Sequence, residues 1–386
     1  MKSIELFAGA GGLGMGLHEA GISPVAVIER DSYCCETVRE NQRLSVAAVC
    51  NWEVLERDVR KIDFRQYESR VDLVSGGPPC QPFSMGGKHG AFNDSRDMFP
   101  QAIRAVREAS PKVFIFENVK GLTRSTFRNY YQYIQLQMEH PTIVRTANQS
   151  WIDHLARLER HHTSGRRQDL HYRVVTRLLN AANYGIPQKR ERVFFVGFRD
   201  DLGIAWNFPR ETHSFESLVW DQVVDATYWE RHEVPKKQRT VLPRGQSRVD
   251  GFLFKPPTLP WKTVRDALAG LPDPEKDPGD AAQFRNHVFQ PGARAYTGHT
   301  GSPFDEPAKT LKAGVHGVPG GENMLLRPNG SVRYFSVRES ARVQTFPDEY
   351  NFHGSWTEAM RQLGNAVPVA LAHCVGKSVI GQLAGF

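Results

Sequence analysis

The chain lacks the sequence features that mark several large classes of protein. Its cysteines are odd in number, show no Cys-x-x-Cys spacing and are too few for a disulfide framework, so we expect reduced thiols at Cys34, Cys35, Cys50, Cys80 and Cys374. No stretch reaches about 18 uninterrupted apolar residues, and the first residues carry no cleavable signal pattern. Internal repeats and low-complexity segments are also missing. We therefore expect a soluble, cytoplasmic protein with no membrane partner.

Length and charge narrow the classes that remain. At 386 residues, with 40% hydrophobic and 24% charged side chains, the chain is typical of a globular protein of two domains. Lysine and arginine number 49 against 42 acidic residues, giving a formal charge of +7 and a pI near 9.1, which favours a polyanionic partner such as nucleic acid. Eight basic residues but only two acids lie between positions 231 and 262. A solvated face and a phosphate-binding surface both remain open for that segment.

Apolar segments alternate with amphipathic helical segments over residues 3–120, which predicts a parallel sheet covered by helices. The expected strands are residues 3–7, 24–28, 71–75 and 112–116, with two more at 172–175 and 192–197. The fold class is therefore α/β and Rossmann-like. After Trp206 the sequence becomes rich in Pro, Gly and Arg, which predicts a second, smaller and irregular domain. We assign residues 1–205 plus 350–386 to the large domain and residues 206–349 to the small one.

A glycine-rich loop follows the first predicted strand. Gly9 to Gly14 fit Gly-x-Gly-x-x-Gly, and Glu29 lies 20 residues beyond Gly9 at the end of the next predicted strand, where a carboxylate can accept hydrogen bonds from ribose hydroxyls. We expect an adenosine-bearing cofactor, and the loop alone does not separate a dinucleotide from S-adenosylmethionine. Asp58 follows a weaker strand and is either an acceptor for an adenine amino group or an ordinary surface acid.

A cysteine lies in an unusual loop after the strand at residues 71–75. The loop reads Gly-Gly-Pro-Pro-Cys-Gln-Pro-Phe-Ser over residues 76–84, and its glycines and prolines restrict the backbone. Ligands of open α/β sheets bind at the carboxyl ends of the strands, which is where this loop begins. Cys80 is therefore a candidate nucleophile rather than a buried structural thiol.

The loop at residues 76–84 resembles the catalytic motif of the cytosine-5 DNA methyltransferases, and further motifs follow in the family's order. The segment starting at Phe7 resembles the first cofactor motif, Glu29 the second and Asp58 the third. Residues 117–119 (Glu-Asn-Val), 188–192 (Gln-Lys-Arg-Glu-Arg), 338–344 and 364–368 (Gly-Asn-Ala-Val-Pro) resemble later motifs. The resemblance covers residues 1–199 and 331–386, and residues 200–330 lie where the family places its variable target-recognition domain.

The resemblance implies an S-adenosylmethionine-dependent methyltransferase fold and transfer of a methyl group to C5 of a flipped cytosine in double-stranded DNA, leaving S-adenosylhomocysteine. Cytosine C5 becomes nucleophilic only after a nucleophile adds to C6, a task that suits the Cys80 thiolate. By resemblance Glu117 acts at N3, Arg192 contacts O2, and Arg190 supports the loop or the substrate. Residues 81–98 are expected to close over the base. Carried over position by position, the resemblance implies four catalytic residues, which are Cys80, Glu117, Arg190 and Arg192. The residues expected to bind the cofactor are Phe7, Gly9, Gly11, Gly12, Glu29, Asp58, Val59, Pro79, Asn365 and Ala366. The residues expected to contact the substrate are Gln81, Ser84, Asn118, Val119 and Thr310.

Three other functions fit these residues less well than a cytosine-5 DNA methyltransferase does. A nicotinamide dehydrogenase has no use for the cysteine loop, and an inactive scaffold is disfavoured because Cys80, Glu117 and Arg192 occur together. The RNA-directed branch, which methylates a tRNA cytosine, typically carries a Cys-Phe-Thr element that is missing here, so DNA is favoured. The histidines at positions 161, 162 and 171 lack the spacing of a ligand set, and we expect no metal. Family analogy adds a bacterial or phage setting, either in a restriction-modification system with a separate cognate endonuclease or as an orphan counterpart, and a monomeric enzyme.

Overall fold

The computed structural model describes residues 1–79, 97–165, 169–239, 254–297, 299–313 and 323–383. The first half of the chain alternates strands and helices as the sequence predicts. In chain order these are β1 Lys2–Leu6, α1 Gly12–Glu19, β2 Ser23–Glu29, α2 Ser32–Arg43, β3 Glu53–Glu56, β4 Leu73–Gly76, α3 Phe99–Ala109, β5 Val113–Val119, α4 Arg128–Glu139, α5 Trp151–Thr163, β6 Tyr172–Asn180 and β7 Glu191–Arg199.

These seven strands form one sheet in the order β3-β2-β1-β4-β5-β7-β6. The five strands from β1 to β5 are parallel, whereas β7 runs antiparallel to both of its neighbours, β5 and β6. The chain leaves β1 towards β2 on one side and returns to β4 on the other, so the order of strands reverses between β1 and β4. Ligands of such sheets bind outside the carboxyl ends of the strands at this point of reversal.

Two boundaries differ from the sequence prediction, and both concern the functional edge. The glycine-rich segment is already helical from Gly12, because Gly11 adopts a φ of 83° and begins α1 there. Strand β5 continues through Val119, since Glu117 to Val119 pair with β7 from Phe194 to Arg192. Glu117 therefore lies within a strand, not just past one, and its backbone is fixed on the β7 side.

Apolar runs in the central strands match their burial on both faces of the sheet, as expected for parallel strands covered by helices. At the carboxyl end of the chain, helices α11 (Trp356–Asn365) and α12 (Val369–Leu383) follow each other, and α12 packs closely on α1. Within the described residues, Trp356–Leu383 is the one stretch long and apolar enough to cross a membrane. Its apolar window is 61% buried in the protein, as a core helix would be.

The second half of the chain contains short elements around a smaller core. They are β8 His213–Ser214, α6 Phe215–Val223, α7 Thr227–Arg231, β9 Leu259–Pro260, α8 Val264–Leu268, α9 Pro278–Ala281, β10 Ser302–Pro303, β11 Met324–Leu326, β12 Val332–Tyr334 and α10 Val337–Val343. Helix α10 starts with a capping box between Ser336 and Glu339. Its Ala341 packs in a cluster with Ala8 of the large domain, whereas its Val343 packs with Leu311 of the small core. The domain boundary near residue 349 stays a proposal, and α10 contributes to both sides of it.

Candidate active site

A cavity of about 250 Å³ opens at the carboxyl edge of the sheet, beside the point where the strand order reverses. Five of the residues expected to bind the cofactor line it, and they come from four separate segments of the chain. Five further lining residues were not singled out from the sequence. The first group is Phe7, Glu29, Asp58, Val59 and Pro79, and the second is Ile28, Arg30, Arg57, Arg60 and Met98.

The carboxylate of Glu29 is held in one orientation at the wall of this cavity. Its Oε2 accepts a hydrogen bond from the Gly9 amide at 2.9 Å, and its Oε1 accepts from the Arg30 and Asp31 amides at 2.7 and 2.9 Å. About one acceptor position of the four on a carboxylate remains for a ligand hydroxyl. Phe7, on the facing loop, has a φ of 55°, a left-handed conformation that costs a non-glycine residue free energy and is concentrated at functional sites.

Asp58 presents a second carboxylate to the same cavity. Its side chain pairs with Arg60 and also accepts a hydrogen bond from the Arg60 amide at 2.9 Å, and these contacts lower the pKa of Asp58 to about 2. Asp58 is therefore ionised at neutral pH and can only accept hydrogen bonds. An acceptor of this kind fits an adenine amino group, which is one of the two roles open for Asp58 from the sequence.

The glycines of the loop support the cavity from behind rather than line it. A Cβ on Gly11 would lie 2.8 Å from the Trp52 ring, and one on Gly12 would overlap the Val367 carbonyl. One on Gly14 would overlap Glu5, a carboxyl 1% exposed in β1 whose pKa burial raises to about 8. Asn365 and Ala366 are likewise absent from the described cavity lining.

Glu117 and Arg192 form a buried ion pair at the same edge of the sheet. The Arg192 Nε lies 2.8 Å from Glu117 Oε1, and the two side chains are 12% and 8% exposed. Burial raises the pKa of Glu117 in spite of the nearby guanidinium groups of Arg192 and Arg190. A carboxyl with a raised pKa beside a fixed arginine can give a proton to one atom of a ligand while the arginine donates to a neighbouring one.

The segment that leads to Cys80 lies against this pair. A Cβ on Gly77 would lie 3.4 Å from Glu117 Oε2, and Asn118 Nδ2 donates to the Pro78 carbonyl at 2.8 Å. The Met98 amide donates to the Pro79 carbonyl at 3.0 Å, so the residues on either side of segment 80–96 meet beside the cavity. Cys80, Gln81 and Ser84 lie outside the described residues. Pro79, which lines the cavity, thus directly follows the two residues that lie beside Glu117 and Asn118.

Asn118 and Val119 complete the end of β5. The Val119 amide donates to Asn118 Oδ1 at 2.9 Å, and Val119 is the strand partner of Arg192 across the β5–β7 pair. These contacts orient the loop before Cys80 and the backbone around the ion pair. Contact of either residue with a substrate remains a proposal.

Arg190 joins three segments of the chain. Its side chain is fully buried and donates to the carbonyls of Leu311 at 3.1 Å, Gly364 at 2.8 Å and Ala366 at 2.7 Å. Thr310 is held next to it, because its Oγ1 donates to the Lys189 carbonyl at 2.7 Å. These contacts use the Arg190 guanidinium on the protein backbone, and its support of the loop or of the substrate stays a prediction. The Thr310 contact likewise joins its segment to Lys189, two residues before β7.

Comparison with known proteins decides the family. A family profile of C-5 cytosine-specific DNA methylases matches residues 1–141 and 165–381. The chain belongs to this family. It is 31% identical over 387 residues to the type II methyltransferase M.PspPI of Psychrobacter sp. (strain TA137), covering 98% of this chain and 79% of that one. It is also 30% identical over 385 residues to the type II methyltransferase M.NgoMIV of Neisseria gonorrhoeae, covering 99% and 97%.

The fold agrees with that of a solved member of this group. The crystal structure of a DNA modification methyltransferase encoded within an Escherichia coli prophage superposes with a TM-score of 0.61 at 19% identity, covering 100% of this chain and 99% of that one. Membership of the C-5 cytosine-specific DNA methylases confirms the predicted family, the α/β methyltransferase fold and cytosine-5 DNA methylation as the activity. It also implies the use of S-adenosylmethionine.

The lining residues that sequence reasoning missed fall into two kinds. Ile28 and Arg30 flank Glu29, and Arg57 and Arg60 lie within two residues of Asp58, so the strand ends already marked could have included them. Met98 is 69 residues from Glu29 and reaches the cavity only because α3 begins beside Pro79. No local pattern indicates that contact.

Proposed function

We propose that this methylase acts on one cytosine in a short double-stranded DNA sequence, with Cys80 as the nucleophile and Glu117 and Arg192 as the groups that activate the ring. The observation that supports this most directly is the buried Glu117–Arg192 pair, which lies beside the loop leading to Cys80 and at the same sheet edge as the cavity. These positions support a single site in which the loop leading to Cys80, the Glu117 carboxyl and the cavity act together.

The steps follow from these groups. The Cys80 thiolate adds to C6 of the cytosine, and the electron pair displaced from the C5–C6 double bond moves towards C5 and N3. Glu117 gives a proton to N3 and Arg192 donates a hydrogen bond to O2, so the ring does not carry an uncompensated negative charge. After methylation at C5, the C5 proton leaves to water, the expected base, and its electron pair re-forms the C5–C6 double bond as the Cys80–C6 bond breaks to regenerate the thiolate. The N3 proton returns to Glu117.

The described cavity fits S-adenosylmethionine, which supplies an electrophilic methyl group when it is bound. Glu29 is positioned to accept from the ribose, ionised Asp58 from the adenine amino group, and Phe7, Val59 and Pro79 offer apolar contacts to the adenosine. Gly9, Gly11 and Gly12 shape this wall through the loop backbone, and Asn365 and Ala366 are proposed to contribute from the segment that Arg190 holds. The proposed chemistry requires no metal ion.

The DNA must lie across this edge of the sheet, because cytosine C5 and C6 are accessible only when the base is flipped out of the duplex. Lys236, Lys237 and Lys262 are exposed, and within the described residues they have no ion-pair partner, so they can contact phosphates. Lys255 and Arg231, from the same basic segment, instead pair with Asp221 and Asp266. We assign target recognition to residues 206–349, with Gln81, Ser84, Asn118, Val119 and Thr310 as candidate substrate contacts.

We further propose a restriction-modification role, in which this enzyme protects the sites that a separate endonuclease cuts. The support is that relatives such as M.PspPI and M.NgoMIV are named type II methyltransferases. A monomer in the bacterial cytoplasm, bound to the nucleoid through DNA, fits this role. A tRNA cytosine is the alternative substrate, and it is separated by the experiment below.

The test is bisulfite sequencing of DNA from a host without its own cytosine-5 methylation. The host expresses the wild type, Cys80→Ser or the matched control Cys50→Ser, which alters an exposed thiol remote in sequence from the loop. We expect methylation at one short motif in the wild type and in Cys50→Ser, and none in Cys80→Ser. Residual methylation by Cys80→Ser would remove Cys80 from the nucleophile role. Unmodified DNA with soluble wild-type protein would make tRNA the substrate to examine.

A further inference from the structure

A cluster of histidines and one glutamate lies at the edge of the sheet opposite the active site. Glu139 and His140 end α4, His161 and His162 lie in the last turn of α5, and His171 directly precedes β6. The ring centroid of His140 lies 4.8 Å from that of His161 and 4.8 Å from that of His171. The sequence spacing of these residues does not indicate a ligand set, and the packing of α4 on α5 and β6 brings them together.

Two of the three separations between donor atoms in this cluster are close to those of a tetrahedral metal site. His140 Nε2 lies 3.1 Å from His162 Nδ1, His162 Nδ1 lies 3.3 Å from Glu139 Oε2, and all three atoms lie within 4.8 Å of one another. With ligand bonds of about 2.0–2.1 Å, the donors of a tetrahedral zinc site are roughly 3.3 Å apart. Little movement would therefore be needed to place an ion between them.

The surroundings of the three donors also favour a cation. Glu139 Oε1 accepts a hydrogen bond from Gln135, whereas Oε2 is buried and accepts none among the described residues. The Glu139 side chain is 12% exposed, so its carboxylate is a costly group to leave ionised without a strong partner. His140 is 5% exposed, while the side chain of His162 is 53% exposed and gives a path from solvent.

We propose that Glu139, His140 and His162 bind one divalent transition-metal ion of the zinc class, with water in the fourth position. Two imidazoles and one carboxylate are a donor set that zinc accepts, and the open side at His162 leaves room for the water. The ion would join the end of α4 to the end of α5.

The position of the cluster predicts an effect on stability rather than on chemistry. The His171 carbonyl accepts from the Asp200 amide just past β7, whereas Arg192 lies at the start of β7. Seven residues of extended strand separate Arg192 from Arg199, which is about 23 Å. A bound ion would therefore stabilise the excursion between β5 and β6 without touching the reacting atoms.

The same distances also fit a metal-free arrangement in which the Nδ1–H of His162 is shared between His140 Nε2 and Glu139 Oε2, and a titration separates the two. Full-length protein, stripped with a chelator, is titrated with Zn²⁺ and, for spectroscopy, with Co²⁺, while the thermal midpoint is followed. We expect one equivalent to bind, a midpoint that rises with the Zn²⁺ concentration, and Co²⁺ bands without thiolate charge transfer. Binding that does not saturate would overturn the proposal.

Variants identify the ligands. His162→Ala and Glu139→Gln should each weaken Zn²⁺ binding at least about tenfold, the loss that even indirect changes around a metal produce. The control is His353→Ala, since His353 is 43% exposed and lies 3.4 Å from Glu40 without a second histidine ligand. Equal Zn²⁺ affinity in His162→Ala and wild type would show that the ion, if any, binds elsewhere. Because His162 is half-exposed, its removal should leave the circular dichroism spectrum unchanged.

Discussion

Replacing Arg190 by methionine tests whether this buried arginine holds the domains together. The guanidinium is surrounded by protein and donates to three carbonyls, those of Leu311 in the small domain and of Gly364 and Ala366 before α12. Methionine follows the aliphatic part of the arginine, has three fewer heavy atoms and cannot donate. The change therefore removes the hydrogen bonds and leaves part of the buried guanidinium space empty.

The expected loss in the free energy of unfolding depends on how many carbonyls are left without any hydrogen-bond donor. Ala366 also accepts from Gln344 Nε2 at 3.3 Å, so within the described residues two carbonyls, those of Leu311 and Gly364, are left unpaired. Each buried, unpaired carbonyl costs about 1–3 kcal/mol. Desolvation of the guanidinium, which lowers the pKa of Arg190 well below its usual value, is relieved in the variant and offsets part of that cost. We expect the free energy of unfolding to fall by about 2–4 kcal/mol.

Urea denaturation of the wild type and the Arg190→Met variant measures this difference. The matched control is Arg65→Met, which removes an arginine that pairs with Asp63 but is 75% exposed, and its free energy of unfolding should stay close to the wild-type value. Arg190→Lys keeps a charge but loses the planar set of donors, so its free energy of unfolding should lie between those of the wild type and Arg190→Met. If Arg190→Met were as stable as Arg65→Met, Arg190 would not join the segments as described.

Three further predictions follow from buried or cavity-lining carboxyls. Glu117→Gln should lower kcat about 10²- to 10⁴-fold with unchanged cofactor affinity. The wild-type kcat should fall as pH rises through the raised pKa of Glu117, and the variant should not show this fall. A variant with the wild-type pH profile in single-turnover assays would contradict this role. Glu29→Ala should weaken S-adenosylmethionine binding about 10- to 100-fold, as measured by calorimetry. The control Glu56→Ala, at the paired position of the next strand, should bind like the wild type. Equal affinities of Glu29→Ala and the wild type would mean that the ribose binds elsewhere. Because burial raises the pKa of Glu5 from 4.5 to about 8, its contribution to stability is complete below about pH 4.5 and is lost as pH rises towards 8. In urea titrations, the free energy of unfolding of Glu5→Gln should rise relative to that of the wild type by about 1.4 kcal/mol per pH unit between pH 5 and 8. Parallel pH profiles of the two proteins would contradict the raised pKa of Glu5.

The features predictable from sequence are those set by local pattern at strand ends. Alternating segments predicted the seven-stranded sheet closely, and Glu29 and Asp58 line the cavity because each follows a strand whose carboxyl end reaches it. The position of β7 beside β5 and the extension of β5 through Val119 were not predictable, since both depend on pairing between segments more than 70 residues apart. Pairing across such distances leaves no local signal in either strand.

Two side-chain arrangements show the same limit. The sequence marked Arg190 as part of a motif, but the three carbonyls it meets come from segments more than 120 positions away. The histidines at positions 161, 162 and 171 gave no indication of a site, because they lack the spacing of a ligand set along the chain. Their meeting with His140 and Glu139 results from the packing of two helices against one strand. Contacts of this kind require the folded chain.

Helix α10 has a consequence for how this enzyme could exchange target specificity with its relatives. A swap of the whole 206–349 segment would carry α10 with it and leave Ala8 and its neighbours facing a foreign helix. A joint before Ser336 would instead keep the native helix α10 and its capping box. The exchanged segment would then have to fit only the face of α10 around Val343. Recombination joints placed just ahead of α10 should therefore give folded hybrids more often than joints placed after it.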